Sequence, residues 1–277
     1  MAGHVRSASV PCHSHPLLMD VDGQLMALRS WTSNPGQNPL SLAHVRGLLC
    51  VLDELLHLPL AQGALLAGGA ADSLLDGFLV LADAFGTFLA ALLALRQHAA
   101  ELRAAVRRRD AAKLASASRA ERQLGKELEQ LAAAVAREAA RCARASVAAS
   151  SAPAGYGCGA AAAELEVART VAEAVNDTAV ASASVFLEVG AVADAAAAMA
   201  SPASSSPKKR LPLVNASYRS SSRRPASNEE QKREAVALAK LQELEQCIGE
   251  LESESEKVFR SLVQTRVSLL NIHTPSF

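Results

Sequence analysis

The sequence predicts an all-α protein, a bundle of five to six long antiparallel helices with coiled-coil-like packing. Half of its 277 residues are hydrophobic but only 3% are aromatic, and abundant alanine and leucine favour helix over sheet. The stretch 74–109 contains no proline, and its apolar residues recur in steps of three and four, the spacing of one helix face. At about 1.5 Å per residue this helix is roughly 50 Å long, so it needs partners of similar length. Its apolar positions are Leu75, Phe78, Ala82, Phe85, Leu89, Leu92, Ala99, Leu102 and Val106.

Residues 1–15 are polar and predict a flexible N-terminal arm. Within the arm, Cys12, His13 and His15 are residue types that bind zinc, but a structural zinc site needs four ligands and no second half-site follows. The five cysteines of the chain are scattered without a CxxC pair, which is typical of free thiols in a reducing compartment. We therefore expect no metal site and a cytoplasmic location, with a membrane-associated or nuclear location as the alternatives.

The segment 16–200 predicts one helical bundle. Prolines, glycines and polar clusters separate its apolar-periodic stretches, which marks successive helices. Ser41 is expected to cap the second helix and Asp110 the fourth. We expect the chain to be organised around the helix 74–109. The predicted helices span 17–31, 42–57, 74–109, 112–149 and 160–200, with a short helical turn at 61–66.

Residues Phe78–Leu95 form an 18-residue apolar stretch that approaches the length of a membrane span. Asp83 lies within it, and a carboxylate at membrane depth costs roughly 2.5–3.5 kcal/mol. Beyond Leu95 the same apolar periodicity continues into charged sequence. These features favour a bundle helix over a span, and they leave reversible contact with a membrane surface as an alternative.

Residues 201–227 predict a disordered basic linker rich in serine and proline. The segment contains no acidic residue, and its basic clusters could lie on anionic lipid or serve in nuclear import. Ser227 follows a pair of arginines and is a candidate phosphosite. A solvated linker without a dedicated role is the competing interpretation. The candidate basic patch consists of Lys208, Lys209, Arg210, Arg223 and Arg224.

Residues 228–277 predict a C-terminal helix, 228–272, whose heptad seam packs on the bundle. Nine of the eleven seam positions between 237 and 272 are apolar or alanine, in alternating steps of four and three. Such a seam can dock within the chain or pair with another chain, and we expect internal docking first because the chain has several other long apolar faces. The possible partner-binding seam consists of Leu241, Leu244, Ile248 and Leu251.

No residue pattern predicts catalysis or a cofactor. Gly68-Gly69 lacks the lysine and spacing of a phosphate loop, and the glycine-rich segment 155–159 lacks the preceding strand of a nucleotide fold. Basic and acidic residues number 28 each, so the whole chain has no field that attracts nucleic acid. Arg107–Arg109 suit the negative end of a helix dipole, and no aromatics interleave with them. We expect a non-enzyme with no cofactor, no specific nucleic acid and unknown protein partners, in an unknown oligomeric state.

Both ends of the chain and two internal stretches share features with one known family. They are His4–Pro11 with Ser14–Pro16, Leu48–Pro59, Leu74–Gly77 with Asp83 and Gly86-Thr87, Leu251–Arg260, and Thr265–Ile272. Together these stretches resemble the plant domain of unknown function 241, which is related to the Bypass proteins. The resemblance covers nearly the whole chain and is weakest in 160–200 and 201–227. It implies an all-helical plant protein without known catalysis, associated with root and shoot development.

Two functional hypotheses follow from the residues and the resemblance. The first is a non-enzymatic helical interaction or regulatory protein of plant root and shoot development, working through an exposed face of the last helix or through the linker. The second is a peripheral membrane-associated, Bypass-like protein that affects root-to-shoot signalling. An enzyme would require polar side chains clustered in one pocket, and no such spacing is present.

Overall fold

The computed structural model describes residues 15–34, 40–67, 69–150, 160–200 and 226–274. These residues form seven helices and no strand, and the helices pack against one another as a bundle, which confirms the predicted all-α fold. The predicted arm, apart from His15, and the linker as far as residue 225 lie outside the described residues. The helices are α1 (Pro16–Thr32), α2 (Ala43–Leu56), α3 (Pro59–Ala67), α4 (Ala71–Arg108), α5 (Ala111–Ser150), α6 (Ala160–Ala200) and α7 (Ala226–His273).

The caps of α2 and α5 show how closely local sequence sets the helix starts. Asp110 caps α5 as predicted, because its carboxylate accepts a hydrogen bond from the backbone N–H of Lys113 at 3.1 Å. Ser41 lies one residue before the N-cap position of α2, whereas the sequence predicts it to be the N-cap itself. Leu42 is the N-cap residue of α2, and the Ser41 hydroxyl accepts from the N–H of Ala43 at 3.1 Å. The predicted cap is therefore wrong by one residue.

The helix at the centre of the bundle is α6, which contacts each of the other six helices. This corrects the expectation that the chain is organised around 74–109, because α4 packs mainly on α5, α6 and α7. The buried face of α6 is largely alanine and valine, and small side chains let several neighbours approach one helix closely. Its buried alanines are Ala168, Ala172, Ala174, Ala179, Ala181, Ala183, Ala193, Ala196 and Ala197.

Two glycine contacts bring the long helices together. A Cβ atom on Gly190 of α6 would lie 3.6 Å from the Cα atom of Gly125 in α5. A Cβ atom on Gly77 of α4 would lie 2.8 Å from a methyl carbon of Val175 in α6 and 3.4 Å from the Cβ atom of Cys142 in α5. The three long helices α4, α5 and α6 therefore approach one another closely at positions where glycine has no side chain.

A phenylalanine cluster fills the space between α4 and α6. The ring centroid of Phe186 lies 4.2 Å from that of Phe88 and 5.6 Å from that of Phe85. All three rings are fully buried. Aromatic pairs at these distances contribute about 0.5–1.5 kcal/mol beyond the area they bury. The cluster therefore fixes α4 on α6 at the middle of both helices.

Replacing Gly77 and Gly86, both in α4, should change stability in opposite directions. Gly77→Ala forces a methyl group against the stiff side chain of Val175, and overpacking costs about 1–3 kcal/mol, more than the gain of up to about 1 kcal/mol in helix propensity. Gly86→Ala meets no atom within 4 Å and should stabilise by up to about 1 kcal/mol. Urea denaturation of both variants measures the two changes. Equal stabilisation by both would show that α4 does not approach α6 as described.

Candidate functional site

The predicted partner-binding seam lies inside the bundle. Leu241, Leu244, Ile248 and Leu251 are each at most 1% exposed. α7 lies lengthwise against α4 and also packs on α2 and α6, so these side chains are occupied by the chain's own helices. A partner cannot reach them in the folded chain. The seam therefore docks within the chain, the use that is expected first from the sequence, and pairing with another chain through these side chains would require α7 to leave the bundle.

Of the other predicted site residues, only Ser227 lies within the described part of the chain. Ser227 is the second residue of α7, so it belongs to the first helical turn and not to the linker. A phosphate in the first turn of a helix is favourable, because the helix dipole is positive there. Phosphorylation of Ser227 stays a prediction. The basic patch lies outside the described residues, namely Lys208, Lys209, Arg210, Arg223 and Arg224.

Ion pairs flank the buried seam and set the register of α7 on α4. Arg96 pairs with Glu252 at 2.8 Å, and Arg103 pairs with Glu245 at 2.7 Å. The arginines are seven residues apart along α4 and the glutamates seven residues apart along α7, as expected for antiparallel helices in heptad register. Exposed pairs of this kind contribute at most about 1 kcal/mol each, so they select the register more than they stabilise the fold.

α7 also holds the two ends of α2. The carboxylate of Glu254 accepts hydrogen bonds from the backbone N–H of Leu42 at 2.6 Å and from the hydroxyl of Ser41 at 3.2 Å. It thereby accepts a hydrogen bond from one of the backbone N–H groups at the start of α2 that have no partner within the helix. Near the other end of α2, the hydroxyl of Ser268 donates to the carboxylate of Asp53 at 3.0 Å. In the sequence, Glu254 is one of several regularly spaced glutamates, and nothing distinguishes it as a cap.

The side of α7 that faces away from α4 is a continuous exposed stripe. Its members recur in steps of three and four on the opposite side from the seam. The stripe is polar over its first half and carries two exposed valines, each 41% accessible, over its second half. We call this surface the outer stripe of α7, and it consists of Gln246, Glu250, Ser253, Lys257, Arg260, Val263 and Val267.

One carboxyl group, that of Glu121 in α5, is buried without a partner. The residue has no exposed surface, and neither carboxyl oxygen has a hydrogen-bond partner among the described residues. Burial, and then repulsion from Asp194 of α6, raise the pKa of Glu121 to about 8. At neutral pH the group is therefore mostly protonated. The sequence did not single out Glu121, because its helical spacing differs little from that of neighbouring exposed charges.

The surface of the described bundle has several clefts, and two of them lie between long helices. One, of about 360 Å³, lies between the end of α4 and the start of α5. The other, of about 420 Å³, lies between α1, α5 and α6. At its edge the guanidinium of Arg29 donates a hydrogen bond to the carboxylate of Glu173 at 2.9 Å. Burial raises the pKa of the Glu173 carboxyl, but hydrogen bonds from Arg29 and Arg169 outweigh burial, so the pKa is lowered overall. Among the described residues, no group of three or more His, Cys, Asp or Glu side chains could hold a metal ion.

Two described helices are long and apolar enough to cross a membrane, namely α4 and the part of α6 from Leu165 to Ala198. The bent pair α2 and α3, which meet at 84°, would make a third if it formed one span. In the bundle, 50% of the most apolar window of α4 and 56% of that of α6 are buried. Packing between helices thus covers about half of this apolar surface. The carboxylate-bearing residue Asp83 of α4 lies on the exposed side of its helix.

Comparison with known proteins gives one match. The family model described as Protein BPS1 matches residues 41–272, from two residues before α2 nearly to the end of α7. The match therefore includes the described bundle except α1. Neither the curated proteins nor the solved structures contain a match to this chain.

Glu121→Gln should stabilise the protein increasingly as the pH rises. The pKa of Glu121 is raised in the folded state, so the stability associated with its proton is present at low pH and is lost as the pH rises from about 4.5 to about 8. This shift corresponds to on the order of 5 kcal/mol. Glutamine has nearly the same shape and does not titrate. The difference in unfolding free energy between variant and wild type, from urea titrations at pH 5 and pH 8.5, measures the effect.

Glu129→Gln is the matched control for this experiment. Glu129 lies in the same helix but is exposed, so its replacement should shift stability by a similar small amount at both pH values. A pH-independent effect of Glu121→Gln, like that of the control, would contradict the burial of an unpartnered carboxyl in α5.

Proposed function

The chain belongs to the family of the protein BPS1, and we propose that it is a non-enzymatic helical protein that binds protein partners in plant root and shoot development. The observation that carries the proposal is the outer stripe of α7. α7 is held on its inner side by the seam and the ion pairs to α4, while its outer side is exposed from Gln246 to Val267. The developmental setting comes from the family resemblance.

A helix fixed in this way is suited to receive another helix. Its backbone is already ordered by the bundle, so binding does not add the cost of ordering it. Val263 and Val267 offer apolar contact, and Glu250, Lys257 and Arg260 offer charges of both signs to select a partner. We infer that the partner presents an amphipathic helix with complementary charges to the outer stripe of α7.

The use of the ionisable side chains supports a non-enzymatic role. Arg96 and Arg103 of α4 pair with glutamates of α7, and Glu254 and Asp53 join α7 to α2. These groups connect helices and are spread along the bundle, whereas catalytic acids and bases converge on one substrate. Glu121 is buried and has no polar partner among the described residues with which to exchange a proton.

A peripheral membrane role that affects root-to-shoot signalling is the second candidate. It is favoured by the apolar character of α4 and α6. Leu79 and Leu93 lie on the exposed side of α4, at 39% and 49% accessibility, and are separated by two heptads. If this face contacts lipid, the protein should be found with membranes and be released by detergent or salt.

Proximity labelling from a tagged full-length chain in root cells tests the proposal. Soluble and membrane fractions are analysed separately. The variant Val263→Lys/Val267→Lys should lose soluble-fraction neighbours severalfold, because it places two cations in the apolar half of the outer stripe. Both positions are exposed, so the fold should persist and the thermal midpoint should change little.

The matched control replaces two equally exposed apolar residues elsewhere. Val180→Lys/Leu187→Lys on α6 alters side chains of 43% and 46% accessibility and should keep the neighbours. Equal loss in both variants, or in neither, would contradict a role for the outer stripe. Labelling confined to membrane proteins in the wild type would favour the peripheral membrane role instead.

A further inference from the structure

The turn between α4 and α5 concentrates positive charge at one end of the bundle. Arg107 and Arg108 end α4, Arg109 forms the turn, and Lys113 lies in the first turn of α5, all of them exposed. The one acidic residue in this segment, Asp110, is engaged by the backbone N–H of Lys113. The chain as a whole has no net charge, so this turn is a local concentration of cations.

The backbone at Arg109 is in a conformation that usually selects glycine. Its φ of 52° and ψ of 36° are left-handed, and glycine is the residue most often found at this position after a helix. Arg109 places a cation there instead, and its guanidinium pairs with Glu234 of α7 at 3.1 Å. A strained position that keeps a charged side chain is an indication of function.

The start of α7 places two cations at the same end of the bundle, in a segment that also contains three glutamates. Lys232 and Arg233 immediately precede Glu234, and both are exposed. Together with Arg107, Arg108 and Lys113, they form no ion pair with any described residue. In contrast, the arginines farther up α4 are paired with glutamates of α7. We call the six basic residues at this end the basic tip, namely Arg107, Arg108, Arg109, Lys113, Lys232 and Arg233.

The smaller cleft lies within the basic tip. Its volume is about 360 Å³, and its lining includes Arg108, Lys113 and Ser116, with alanines making up the apolar part. A guanidinium, an ammonium and a hydroxyl are the donors that bind phosphate oxygens in proteins. Glu101, the one carboxylate in the lining, accepts a hydrogen bond from Gln97 at 3.2 Å. The cleft thus combines donors and positive charge in a space large enough for a phosphate group.

We propose that the cleft binds a phosphate group of a ligand that bears several phosphates. Arg108, Lys113 and Ser116 hold that phosphate, and the cations of the basic tip outside the cleft attract the others. A soluble polyphosphate and a phosphorylated lipid headgroup share this chemistry. The proposal does not rest on a protein partner at α7, because the residues of the basic tip are separate from the outer stripe.

Calorimetric titration of the full chain with inositol hexakisphosphate tests the cleft. Arg108→Ala/Lys113→Ala removes two charged donors from the lining and should weaken binding at least about tenfold. Arg107→Ala/Lys232→Ala removes the same charge from the basic tip outside the lining and should weaken binding only about twofold to threefold. All four side chains are exposed, so circular dichroism should show an unchanged helix content.

Vesicle sedimentation separates the two sources of phosphate. Binding to phosphatidylcholine vesicles with phosphatidylinositol bisphosphate, lost in Arg108→Ala/Lys113→Ala, identifies a lipid headgroup, whereas binding to soluble inositol hexakisphosphate alone identifies a soluble ligand. Three results would overturn the proposal: no binding to either probe, equal weakening by both double variants, or equal binding to phosphatidylserine vesicles of the same charge or to duplex DNA. Each of the last two would indicate attraction by charge alone.

Discussion

The close approach of helices around α6 is the constraint on which the rest of the structure depends. α6 touches every other helix, and this is possible because glycine, alanine and valine form much of its contact surface. At Gly77 an added Cβ atom would clash with Val175, whereas at Gly190 it would only reach ordinary van der Waals contact with Gly125. Near the middle of α4 and α6, the phenylalanine cluster fills the space between the two helices that small side chains would leave empty.

α7 completes the bundle with its inner side, and its outer stripe is exposed to solvent. Its inner seam covers α4, its glutamates pair with arginines of α4, and Glu254 satisfies the start of α2. These contacts occupy one side of a helix that is 48 residues long. The other side is exposed, while the helix itself is held on the bundle by its inner side. The proposed partner surface at the outer stripe and the stabilising seam therefore lie on opposite faces of the same helix.

Periodicity in the sequence predicts the helices well, since apolar steps of three and four continue through α4, α5 and α7. It also predicts the internal docking of the seam at Leu241 and Ile248. It does not identify α6 as the central helix, because alanine is compatible with both buried and exposed positions. Nor does it distinguish Glu254 and Glu121 from other glutamates, since a cap or a buried carboxyl depends on which distant helix lies opposite. The cations around Arg108 are visible in the sequence, but the cleft between them exists only after α4 and α5 pack.

Hydrogen–deuterium exchange of the full chain, followed by mass spectrometry, tests most directly whether α6 is central and α7 is fixed on the bundle. Amides in the well-packed part of α6 should exchange slowest, and those of α7 between residues 241 and 269 should exchange at a comparable rate, because both open only when the bundle unfolds. Rapid exchange throughout α7, with α6 still protected, would contradict the account. It would mean that the seam is released in solution and that the inner face of α7 is accessible.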